Sequence, residues 1–476
     1  MLAADQLINK LELSGWHDEK VRVQVQKTLD LIPTYSHSDG GLKVWPDSKS
    51  THPFLTARAV SFAHKAKTQG YKIKGPWLEK SRAYLKKYLD KKVPGSFQLS
   101  KTEEMVCRAA ALEALTKFDF RGKSYLNYAM DNRADLPLVG KAFLLKSAHR
   151  MGEAKSVELL YQEITNSLKV ENATAYFDVD KDLLPWLFSS DIRDSGMALE
   201  AILESGQDFP MADKVVTWLL EARNKNGTWG STVNNASALS ALLAYSDKYE
   251  NEDPEFSVEV SLNSESMGTV DLGSKLVRKV FQKKLSHLKG EASMQNNVPY
   301  RKKTMELKKS GKGRLYYSLA ANYEAKEAGP AKDEGLSVLR NITDLEGKPI
   351  SKIQGGELYK VQLTVIAPSL RRFVVLKDPV PAGLTVVQTD FATESSRLSA
   401  LLERGLQPSW QTFHRFEDYK DRVLLFADAL APGEHSYQYM VRAQTPGKYL
   451  HPAAQAEEMY HPEVFGRTSV KTLVVE

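Results

Sequence analysis

The sequence predicts a multidomain chain, an all-α α/α toroid followed by all-β domains. Three observations lead there. Apolar residues recur at three- and four-residue spacing up to about Asp253 and at alternate positions beyond it. A turn carrying glycine and tryptophan, and leading into a helix, occurs twice in the first half. The 476 residues also exceed one hydrophobic core, for which roughly 150 residues is the usual scale.

In the first half the pattern is helical throughout. VRVQVQKTLDLI, SRAYLKKYL, MVCRAAALEALTK, LVGKAFLLKSAHRM, AKSVELLYQEI, SGMALEAILES and MADKVVTWLLEA each place apolar residues on one helical face. Connectors with Gly, Pro, Asn or Asp end them, so antiparallel helical hairpins stacked side by side are expected. HSDGGLKVWPD and KNGTWGSTVNN share one layout, in which Gly40 with Gly41 corresponds to Gly227 and Trp45 to Trp229. Glycine takes a positive φ without steric cost, and tryptophan offers a large apolar ring with an N–H for a backbone carbonyl. The repeat therefore reads as packing corners of a closed toroid.

After Asp253, PEFSVEVSLN, GELYKVQLTVIA, RRFVVLKDPV, DRVLLFAD and HSYQYMVRAQ alternate apolar and polar residues. DLEGKP, VPAG, APGE and TPGK are expected to mark hairpin turns. The basic tract from Phe281 to Arg314 supplies few aromatics for base stacking and reads as a solvated strand face, so no nucleic-acid partner is expected.

Bulk properties exclude several classes. Hydrophobic residues make up 42% and charged residues 26%, as in a globular protein, and the net charge of +6 is small for this length. No run of about 18 apolar residues exists to cross a bilayer as a helix. MLAADQLINKLELSGWHDEK has charges where a signal peptide needs an apolar stretch, so an export signal is expected only on sequence not shown. The single cysteine, Cys107, forms no intrachain disulfide or CxxC metal site, and its place in EEMVCRAAALEAL suits a small buried thiol.

Catalytic motifs are wanting. HExxH, GxSxG and a strand-to-helix GxGxxG do not occur, and the GKS at Gly122 has Lys117 where a P-loop needs glycine. NGT at Asn226, NAS at Asn235 and NIT at Asn341 are acceptor sequons of a length that arises by chance. Asp178, Asp180 and Asp182 in FDVDKDLLPW read as a hydrated turn before a Pro-Trp corner, or as carboxylates that protonate an alkene or hold a metal. The acid reading belongs to a terpene-cyclase hypothesis, which requires a toroid cavity lined by aromatics and leaves the β half unexplained.

Ordered signatures over nearly the whole chain resemble the C-terminal part of bacterial α2-macroglobulins. They run from SDGGLKVWPD, PFLTARAVSFAHKA, LFSSDIRDSGMALEAIL and NGTWGSTVNNASALSALLAYSDKY to GRLYYSLAANYEA, GLSVLRNITDLEGKPI, VVLKDPVPAGL and YKDRVLLFADALAPGEHSYQYMVRAQTPGKYLHPAAQAEEMYHPEVFGRTS. The resemblance implies three domains. Residues 1–252 are a toroid like the thioester domain, and 253–320 resemble the trailing half of the split β domain that flanks it. Residues 321–476 are a terminal antiparallel β-sandwich. It further implies a non-catalytic part of a protease-trapping inhibitor of the periplasm or cell envelope, with proteases, the rest of the inhibitor or another envelope protein as partners, and no cofactor or metal. The alternative is an envelope interaction module without trapping.

The family's thioester joins the cysteine and glutamine of Cys-x-x-Gln, an electrophile held for a nucleophile. Cys107 is followed at that spacing by Ala110, so no thioester is expected within these residues. Two origins stay open, a partial chain of a larger inhibitor or a separate protein that has lost the reactive part. With only the trailing β segment present, strands around Phe256–Leu262 and Leu315–Asn322 are expected to leave an unpaired edge. Met459 and Tyr460 in AEEMYHPEVFGR match the position that, in relatives with a thioester, shields it from water. The other reading makes Tyr460 a local corner residue of the sandwich.

Overall fold

The computed structural model describes residues 18–93, 99–179, 189–224, 226–250, 254–273, 279–284, 291–295, 298–317, 319, 329–350, 352–387 and 412–476. The chain divides into two compact units, residues 1–229 with 234–322, and residues 323–476 with 230–233. The boundaries expected at 252 and 320 fall outside the described residues.

The first unit runs α1 (Asp18–Leu31), α2 (Pro53–Thr68), α3 (Trp77–Leu89), α4 (Lys101–Thr116), α5 (Lys123–Asp131), α6 (Leu138–Met151) and α7 (Ala154–Thr165). The hairpin β1 (Leu168–Glu171) and β2 (Thr174–Phe177) follows, then α8 (Asp191–Glu204), α9 (Ala212–Glu221) and α10 (Thr232–Tyr249). Helices α2, α4, α6 and α8 pack in series, with α3 against α2 and α4, and α7 against α6. Their sequences explain the order. In α4 Val106, Ala109, Ala110, Ala111, Leu112, Ala114 and Leu115 are all buried, and small residues on most faces let neighbours close on several sides. Each fully buried Leu or Val contributes roughly 1.5–3 kcal/mol. Ser100 and Glu103 form a reciprocal capping box at the start of α4, and Gly152 at φ 76° ends α6.

Two expectations for this unit are corrected. The first half is not helical throughout, because LKVE and TAYF pair as a hairpin, with Leu168 opposite Phe177. Phe256–Leu262 is not an edge either. Strand β3 (Glu255–Leu262) lies between β4 (Glu265–Leu272) and β7 (Met305–Lys312), paired on both sides, and buries Phe256, Val258 and Val260. Its alternation of apolar residues supplies one face of a central strand. The described part of 315–322 is not a strand. A separate ribbon pairs β5 (Glu291–Gln295) with β6 (Val298–Lys302).

The second unit closes two antiparallel sheets on one core. Strands β8 (Lys332–Glu334), β9 (Ser337–Thr343), β10 (Leu358–Ala367), β11 (Arg371–Pro379), β12 (Leu384–Val386), β13 (Arg415–Asp418), β14 (Arg422–Leu430), β15 (Gly433–Ala443), β16 (Gly447–His451), β17 (Gln455–Glu458), β18 (His461–Arg467) and β19 (Lys471–Val475) follow in order. One sheet runs β12-β15-β10-β9 and the other β13-β14-β11-β17-β18-β8, with β16 and β19 as a separate pair. Leu363, Val365 and Val441 from the first sheet share a core with Val374, Leu376 and Leu425 from the second. DLEGKP joins the paired strands β9 and β10, but VPAG and APGE do not make hairpins. They carry the chain from one sheet to the other, from β11 to β12 and from β14 to β15. Turn chemistry announces a reversal and is silent on which sheet receives the next strand.

The two glycine corners differ in how tightly they are built. At Gly40 (φ 95°) an added Cβ would lie 2.4 Å from the Lys80 carbonyl oxygen, while at Gly227 (φ 77°) nothing lies within 4 Å. Gly40→Ala is therefore expected to destabilise the first unit by more than about 2 kcal/mol, and Gly227→Ala by about 1 kcal/mol, the left-handed backbone cost alone. Thermal melting followed by helical circular dichroism checks the order; equal losses would contradict it.

Candidate functional site

Met459 and Tyr460 form the two-residue tip of the β17–β18 hairpin, since Glu458 pairs with His461 and the register shifts at Glu457/Glu458. Tight hairpin tips favour Asn-Gly or Gly, because both central residues commonly need positive φ. Neither Met459 nor Tyr460 has one, so this tip is not a primed turn and its backbone makes no demand for glycine or asparagine. Met459 is 41% exposed and outside the sandwich core, and Tyr460 is half-buried. The Tyr460 ring stands edge-on to Phe373, with centroids 5.4 Å apart at 86°. The Met459 N–H donates to the Phe373 carbonyl at 2.9 Å. Beside the tip, the buried Glu458 accepts from the Arg372 N–H at 3.1 Å.

The toroid corners separate. Trp229 is buried, its indole N–H donates to the Leu219 carbonyl at 2.6 Å, and the Asn234 side chain donates to the Trp229 carbonyl at 3.2 Å. Gly227 turns the chain just before it. Trp45, expected to match it, is 67% exposed and is no packing anchor. The residue two places after the positive-φ glycine is what enters the core. That is Trp229 after Gly227, but Leu42 after Gly40, and Leu42 is 3% exposed. Gly41 lets Tyr84 and Thr51 close over this corner, where a Cβ would lie 2.6 Å from the Tyr84 ring.

Cys107 is fully buried in α4, and burial pushes its thiol far above the usual range, so it is no ready nucleophile. Asp178 is exposed and paired with Lys169; Asp180 and Asp182 lie outside the described residues. Among the described residues there is no group of three or more His, Cys, Asp or Glu able to hold a metal, and no helix long and apolar enough to cross a membrane.

Two buried charge clusters escape the sequence reading. The first joins the C-terminal halves of α2, α4, α6 and α8. Glu113 accepts from Arg150 at 2.8 Å and from Ser61 at 2.9 Å, and pairs with Lys117 at 3.1 Å. Lys146 donates to Glu200 at 2.6 Å, and Arg150 to Glu204 at 3.0 Å. Burial alone would raise the Glu113 pKa; Lys117, Arg150 and Lys146 outweigh it and hold the carboxyl well below the carboxylate range. Burial likewise opposes the charge on Lys146, and Glu200, Glu204 and Glu113 overcome it. The second cluster links the two sheets. Arg340 on β9 donates to Asp378 on β11 at 2.5 Å and to the Pro452 carbonyl at 2.8 Å, while Tyr439 on β15 donates to Asp378 at 2.7 Å. The visible signal was i,i+4 spacing, as in Glu113/Lys117, Lys146/Arg150 and Glu200/Glu204, which ordinarily marks a solvated face. Both clusters hold elements together, and the carboxylate beside the Ser61 hydroxyl, Glu113, is held too acidic to serve as a base.

Residues 335–463 match the family model described as the bacterial alpha-2-macroglobulin MG10 domain. An alpha-2-macroglobulin homolog of Nostoc is 28% identical over 96% of this chain and 24% of its own length. The alpha-2-macroglobulin of Escherichia coli is 23% identical over 96% of this chain and 26% of its own. In solved structures, a mutant of Salmonella alpha-2-macroglobulin matches 99% of this chain and 29% of its own with a TM-score of 0.62 at 22% identity. Native E. coli alpha-2-macroglobulin from domain MG7 to the C-terminus matches 100% of this chain and 72% of its own, with a TM-score of 0.61 at 18% identity. The chain spans about a quarter of the length of these curated relatives.

Proposed function

This chain resembles the C-terminal part of the bacterial alpha-2-macroglobulins over nearly its whole length, and from that premise we propose that it is a non-catalytic part of a protease-trapping inhibitor of the cell envelope. In this reading α1 to α10 belong to a closed α/α toroid, the β3–β4–β7 sheet is the trailing half of a flanking β domain, and the terminal sandwich carries the Met459–Tyr460 tip as a shield for a thioester. A dry, polarisable cover is what an ester-like electrophile needs against hydrolysis, and a thioether beside a phenol ring supplies one. The observation that carries the reading is that tip, because it presents an exposed thioether beside a half-buried phenol ring outside the sandwich core. Trp229 with Gly227 is proposed as a toroid corner.

The test uses the protein isolated from cells with its native ends. It is expected in the envelope fraction and to retain an added broad-specificity protease through gel filtration; cytosolic protein that retains none would refute the inhibitory reading. Tyr460→Ala is expected to speed the appearance of a new free thiol in that protein, and an unchanged rate would end the shielding reading. The 476 residues alone, containing no Cys-x-x-Gln, are expected to gain no mass on methylamine treatment. An amine adduct replacing a cysteine-linked acyl bond in the mass spectrum would contradict that.

A further inference from the structure

Phe373 has the backbone of a residue under constraint. Its φ of 52° lies in the left-handed region, where a bulky side chain is a true outlier. The β11–β14 ladder pairs Arg371 with Leu430 and Arg372 with Ala429, and resumes with Val374 opposite Ala427. The register is the same on both sides, so no extra residue explains the departure as a bulge would. Phe373 alone is turned out of the ladder. What it meets there is the hairpin tip: its carbonyl takes the Met459 N–H at 2.9 Å, and its ring takes the Tyr460 ring edge-on at 5.4 Å. On either side the backbone is pinned, by Arg372 N–H on the Glu458 carboxylate at 3.1 Å and by Val374 opposite Glu458. Strain held in place by its surroundings at one residue is a pointer to function.

We propose that Phe373 is the positioning residue of the Met459–Tyr460 tip, its left-handed backbone presenting carbonyl and ring to the two residues of the turn. The proposal takes its purpose from the shielding reading above, while its geometry stands without it. Phe373 gives the tip a polar and an aromatic contact from the neighbouring strand. The left-handed φ is what lets one residue do both.

The test compares Phe373→Gly with Phe373→Tyr in the full chain. Glycine takes a φ near +52° freely, so Phe373→Gly removes the ring and the strain together. Met459 amide exchange, measured by mass spectrometry after pepsin digestion, is expected to quicken at least about tenfold as the tip opens locally. The melting temperature of the second unit is expected to stay level or rise. Phe373→Tyr, which keeps the ring, is expected to restore the original exchange. Unchanged exchange in Phe373→Gly overturns the proposal, and so does a fall in melting temperature, which would make the ring a core-packing group. Tyr460→Ala distinguishes the two readings: if Phe373→Gly loosens the tip while Tyr460→Ala leaves thiol release unaltered, positioning is supported and shielding alone is refuted.

Discussion

Arg340→Met is expected to lower the stability of the second unit by about 3–5 kcal/mol, the cost of leaving a buried charge without its partner. Arg340 is 4% and Asp378 0% exposed, so water cannot replace what is lost. For a unit of this size such a loss lowers the melting temperature by roughly 10 °C. Tyr439→Phe removes one neutral donor to the same carboxylate and is expected to cost about 1–3 kcal/mol. The combined Arg340→Met and Asp378→Leu variant is expected to recover much of the loss, because a well-packed apolar pair can replace a buried ion pair. Calorimetry of the three variants decides: if the double variant is no better than Arg340→Met, the pair contributes attraction beyond its own desolvation.

Acid is expected to cost the first unit stability, and Glu113 is one reason. Its folded pKa lies below the ordinary 4.5, so its stabilising contribution is fully present above about pH 4.5 and is lost as pH falls through the folded value. Asp378 has the opposite sign. Burial raises its pKa against the pull of Arg340 and Tyr439, so protonation at that residue favours the folded unit as pH falls toward 3.8. Glu113→Gln is expected to cost about 3 kcal/mol at neutral pH, since Arg150 and Lys117 lose their common anion. It is also expected to flatten the acid limb of the first unit's stability curve. Helical circular dichroism under denaturant at stepped pH measures both, and an acid limb as steep as the unaltered protein's would show that other carboxylates set it.

The change of period near Asp253 made the helical and β halves legible, because each long segment repeats its pattern several times. β1 and β2 were not, since four-residue strands offer two alternations at most and follow directly on a helix. Leu42 displaced Trp45 because ring size is visible in a sequence and distance from a left-handed glycine is easily passed over. The charge clusters were hidden for another reason. Glu113 with Lys117 looks like an ordinary surface pair until Arg150, from a different helix, is brought to the same oxygen. Met459 and Tyr460 could be singled out by resemblance, whereas the φ of Phe373 is set by its neighbours in space and leaves no trace in the letter F.

The crossings between sheets have a consequence for how the two units come into being. In the first, α2 meets α4, α4 meets α6 and α6 meets α8, so each helix can settle on one already made. In the second, Ile353 bridges to Val475, the Gly355 N–H reaches the carbonyl of Glu476, and Arg340 reaches Pro452. Contacts between residues far apart in sequence form slowly and late. During synthesis the helices are expected to accrete one by one as they leave the ribosome, while the larger sheet of the sandwich stays incomplete until β18 has emerged. Its edges are then exposed for the whole of that interval, and the ribosome's pace, rather than the stability of the finished sandwich, sets how long a chaperone has to cover them.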